Sequence, residues 1–105
     1  AAQALAAARQ GAPQNSDAWL LSATLERRAE NLADAQNYIE TAAALDPENP
    51  AIGLEAGVIA ILSGREEAAR KSWQSVIEPA PDSPEAGVAT DYLAQITGQS
   101  QEEGR

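Results

Sequence analysis

Apolar residues in this chain recur at three- and four-residue spacings and show no sustained alternation, a pattern that predicts amphipathic helices and no strands. Ala1, Leu5 and Ala8 open one such face. Ala18, Trp19, Ser22 and Ala23, with Glu26 at the margin, form the next, and Leu32, Ala35, Ile39 and Ala42 the third. Ala56, Gly57 and Ala60 then make a face of small residues, and Ala69, Trp73 and Val76 supply the bulk that would fill it. Between these faces one punctuation returns: Ala12-Pro13-Gln14-Asn15-Ser16, Asp46-Pro47-Glu48-Asn49-Pro50 and Ala80-Pro81-Asp82-Ser83-Pro84. Pro13, Pro47 and Pro81 are equally spaced, and a period of this length marks stacked units of two short helices.

The punctuation places the elements. Residues 1–10 read as a short helix stopped at Gly11. A shift by one period lays Ala1, Leu5 and Ala8 over Ala35, Ile39 and Ala42, so the chain opens on the second helix of a partial repeat, residues 1–12. Full repeats follow over 16–49 and 50–83. Asn15 or Ser16 caps the first helix, which runs to about Ala29, and a second runs from about Leu32 to Leu45. Asn49 caps the third, with Pro50 at its first position, and Gly64 supplies the left-handed residue that ends it. The fourth runs from roughly Arg65 to Ile77, and Pro79, in the register of Leu45, ends it early. Ser83 and Pro84 open a capping helix over 84–98 stopped by Gly98, followed by a polar tail, 99–105. In that last helix Asp91 occupies the register of Ala23 and Gly57, where a packed neighbour needs a small residue, so no second helix is expected to cover it.

Composition narrows the function. Sixteen acidic against seven basic residues give a formal charge of −9, which argues against nucleic acid and anionic membranes as partners. The 105 residues contain no cysteine and no histidine, which removes disulfides, thiolate chemistry, ordinary zinc sites and imidazole bases. No carboxylate pair comes with a nucleophile, so neither catalytic residues nor a cofactor or metal is expected. No segment reaches membrane-spanning length, and the first residue, Ala in place of Met, reads as a fragment or a processed product. A soluble protein of the cytoplasm or periplasm fits these features.

The register of Trp19, Ala23, Ala35, Ile39, Ala42 and Pro47, repeated as Gly57, Gly64, Ala69, Trp73, Val76 and Pro81, resembles the tetratricopeptide repeat family, as found in bacterial proteins. Ser22 and Glu26 stand where that pattern has Leu and Tyr, and Gly53 where it has Trp. The resemblance implies an all-α superhelix of helical hairpins, about six helices in all, whose first helices line a concave groove for a partner's peptide or helix. By the same resemblance the groove register is Leu20, Thr24 and Arg27, then Leu54, Val58 and Ile61, then Val88 and Tyr92. One branch of the family clamps a C-terminal carboxylate with Lys, Asn and Arg. Here the nearest positions are Leu20, Thr24, Glu55, Glu85 and Ala89, so that clamp is absent and the two glutamates would repel a carboxylate.

Leu20, Leu54 and Val88 form one apolar row, and Thr24, Val58 and Tyr92 a second. The first row suits either packing between hairpins or an open groove. Trp19 and Trp73 read as core, Tyr92 as a cover for the end of the array, and Arg27 and Arg28 as solvated surface. The functional expectation is an interaction module for an apolar or amphipathic peptide segment of another protein. The alternative is self-assembly, in which the Leu5 face of the first helix stacks on further hairpins or on a second copy of the chain.

Overall fold

The computed structural model describes residues 15–103, and over them the chain forms five α-helices: α1 (Ser16–Arg28), α2 (Leu32–Leu45), α3 (Pro50–Leu62), α4 (Glu66–Ile77) and α5 (Pro84–Glu103). There is no strand among the described residues. The expected helix over residues 1–10, with its Leu5 face, lies outside the described residues.

Three of the five starts, those of α1, α3 and α5, carry a side-chain cap. The Asn15 side chain accepts from the Asp17 amide at 3.0 Å and the Asn49 side chain from the Ala51 amide at 3.0 Å. Ser83 Oγ accepts from the Ala86 amide at 3.1 Å. These contacts satisfy amides that the first turn of a helix leaves open. The hairpin turns close alike. The Asn31 amide donates to the Glu26 carbonyl and that of Glu30 to Arg27, while Arg65 donates to Ala60 and Gly64 to Ile61. These are two Schellman closures one repeat apart. Their left-handed residues differ, however: Gly64 has φ +78°, and the equivalent Glu30 has φ +67°.

α4 ends at Ile77, before Pro79, whereas α2 continues to Leu45. At the far end the expectation of a stop at Gly98 is not met, since α5 runs through it to Glu103. A glycine alone costs a helix only about 1 kcal/mol. The Gln, Ser and Glu residues beyond it offer no proline to break the ladder.

α1 packs on α2 and α3 on α4 as hairpins; α2 then packs on α3 and α4 on α5. α1 also touches α3, and α3 touches α5, but α2 and α4 make no contact. The first helices therefore form an inner row and the second helices a spaced outer row. Ala23, Ala35, Ile39, Ala42, Ile52 and Ile59 fill the first core cluster, and Ala60, Ala69, Trp73, Val76, Ala89 and Ile96 the second. Small residues set the spacing. A Cβ on Gly57 would run into the Trp73 indole, and one on Gly53 would meet Val76 Cγ2. The expected core position Trp19 is only partly buried, its ring 5.9 Å from that of Tyr38. Asp91 is exposed, while Ala23 and Gly57 in the same register are buried.

Candidate functional site

The inner row leaves two hollows that share a wall. The first is lined by Leu20, Leu21, Thr24 and Arg27 of α1, by Ala51, Leu54, Glu55 and Val58 of α3, and by Tyr92. The second lies between α3 and α5, bounded by Val58, Ile61, Tyr92, Gln95 and Ile96 with Trp73 of α4 beneath. Val58 and Tyr92 belong to both, so the hollows form one continuous groove.

Helical spacing explains the lining. Leu20, Thr24 and Arg27 share one face of α1, and Leu54, Val58 and Ile61 repeat that face on α3, because residues three and four apart stack along a helix. Trp73 fixes the floor. Its indole Nε1 donates to the Leu54 carbonyl at 3.2 Å, and its ring centroid lies 5.0 Å from that of Tyr92 with the planes tilted by 43°. That arrangement ties α3, α4 and α5 together, and pairs of this kind add roughly 0.5–1.5 kcal/mol beyond burial. Tyr92 is thus a wall inside the groove as well as a cover for the second core.

Seven of the eight groove positions named from sequence line these hollows; Val88 does not, standing 39% exposed outside both. Its row is therefore broken at α5. Leu21, which the groove register passes over, lines the first hollow and is 54% exposed. The period alone gave no sign of it, since Leu21 aligns with Glu55 and Ala89.

The groove's charges require a correction. Arg27 reads in the sequence as solvated surface; instead its guanidinium grips Glu55 across the gap between α1 and α3. Nε pairs with Oε2, and Nη2 donates to Oε1 at 3.2 Å. Thr24 Oγ1 donates to the same Oε1 at 2.8 Å. The Glu55 side chain is only 10% exposed and that of Arg27 22%. Both carboxylate oxygens are engaged, so Glu55 is neutralised in place and does not present the repulsive charge expected of it. A bidentate Arg–carboxylate pair is directional as well as strong, so it also sets the lateral spacing of α1 and α3. The side walls are left apolar.

No group of His, Cys, Asp or Glu among the described residues could hold a metal ion, and no helix among them is long and apolar enough to cross a membrane. The tetratricopeptide repeat family profile matches residues 26–90, more than half of the chain. No curated protein matches it.

Proposed function

Since the chain belongs to the tetratricopeptide repeat family, whose repeats generally mediate protein–protein interactions, we propose that it receives an apolar or amphipathic segment of a partner protein in the groove of α1, α3 and α5. The observation that carries this reading is Leu21. It is a large apolar side chain left more than half exposed beside Leu20, Leu54, Val58 and Tyr92. A contiguous apolar strip of this kind is a mark of an interface. The walls provide side-chain burial, and the Arg27–Glu55 pair contributes no net charge. The surrounding charge of −9 selects a segment with basic flanks.

Leu54 and Val58 pack against the second core, so substitution there disturbs folding and binding together. Leu21→Glu separates the two. Its melting curve should match that of the parent, while proteins captured by the parent from its native source are lost. Capture by the variant at the parental level, or hydrogen exchange in a captured complex that protects the outer helices and not Leu21, Val58 and Tyr92, would sink the proposal.

A further inference from the structure

A separate cleft lies between the two interhairpin turns. Pro47 and Pro50 of the α2–α3 turn line it together with Val76, Pro79 and Ala80 at the end of α4, and Gly53 contributes bare backbone. No residue of the groove belongs to it. Its volume is about 160 Å³, a scale at which a cavity takes one benzene-sized group. The cleft lies where the second repeat departs from the first. Gly53 stands one period after Trp19, and Pro79 one period after Leu45, so an indole has been replaced by a hydrogen atom and a helical leucine by a ring that ends α4 early. Both departures line the same hollow.

Its charged groups are of one sign, and Asn49, Ser75 and Ser83 are its neutral polar ones. Glu48 and Glu85 line the cleft, and neither carboxylate has an ion pair or side-chain hydrogen bond among the described residues. Ser75 Oγ gives its proton to the Ser72 carbonyl at 2.6 Å, which leaves its lone pairs for an outside donor. We infer that this cleft is a second docking site, taking one lysine or arginine side chain from a linear segment of a partner protein. The methylene stem lies against Pro47, Val76 and Pro79, and the cation lies between Glu48 and Glu85. Long basic side chains divide their surface in this way. A neutral apolar side chain would leave both carboxylates without a partner, and an acidic one would be repelled.

The test is a titration of the full ¹⁵N-labelled chain with N-acetyl-arginine amide and N-acetyl-lysine amide, read from amide shifts. Saturable shifts confined to Gly53, Ser75 and Ala80 are expected. N-acetyl-norleucine amide, with a stem but no cation, should bind about tenfold more weakly, a difference of one factor of ten in Kd. Glu48→Gln/Glu85→Gln should weaken the arginine probe about fivefold with melting unchanged, in keeping with two partly exposed charge contacts. Leu21→Glu should leave the titration untouched, so this site stands or falls separately from the groove. Absence of saturation at Gly53 and Ser75, equal binding of norleucine, or shifts that spread over every exposed carboxylate and survive the double substitution would each overturn the inference.

Discussion

Trp73 and Gly57 are two halves of one contact, and their coupling predicts a reversal of sign. Trp73→Ala removes the bulk shared by α3, α4 and α5 and should cost roughly 3–5 kcal/mol in urea unfolding. Gly57→Ala drives a methyl group into the indole and should cost about 1–3 kcal/mol in the parent. In the Trp73→Ala background the clash is gone, and the better helix propensity of Ala should make the same change stabilising by up to about 1 kcal/mol. Equal costs in both backgrounds would show that the indole does not rest on that glycine. Glu55→Gln keeps an acceptor for Thr24 but loses the charge facing Arg27, and should destabilise by about 1–2 kcal/mol. The first contact was legible in the sequence, because Gly57 and Trp73 fall on faces fixed by the repeat. The Arg27–Glu55 pair was not. It depends on how far α1 lies from α3, a lateral distance that periodicity along the chain does not encode.

Among the elements, the two hairpin turns form a natural experiment. They share one hydrogen-bond closure but place Glu30 and Gly64 in the left-handed position. A residue with a Cβ pays roughly 1–2 kcal/mol there, offset in part by the lower chain entropy of a non-glycine residue in the unfolded state. Glu30→Gly should therefore raise stability by about 0.5–1 kcal/mol, and Gly64→Ala should lower it by about 1 kcal/mol, both measurable by thermal melting. A fall in stability for Glu30→Gly would mean that the turn is held by more than its backbone. The starts of α1, α3 and α5 were readable because Asn15, Asn49 and Ser83 announce them through side-chain chemistry. The end of α5 was not, because Gly98 ends a helix only when the backbone there turns left-handed, as it does at Gly64. Nor did the sequence show that the turn after α1 closes on Glu30, a residue with no preference for that conformation.

At the scale of the whole molecule, the repeat register determined which helices pair and which line the groove, while the depth of the groove came from packing. Val88 shows the limit: its register is right, but its place on α5 leaves it outside both hollows. With −9 of formal charge around apolar walls, capture of a basic-flanked segment should weaken as salt rises, chiefly through a slower association rate. A dissociation constant unchanged between low and physiological salt would show that the walls act alone. The spaced outer row has a mechanical consequence. Because α2 and α4 do not touch, successive units are joined only where α2 packs on α3 and α4 on α5, and along the inner row of α1, α3 and α5. A change in the curvature of the array therefore has to shear those seams, and the Arg27–Glu55 bridge adds a rivet across the inner one.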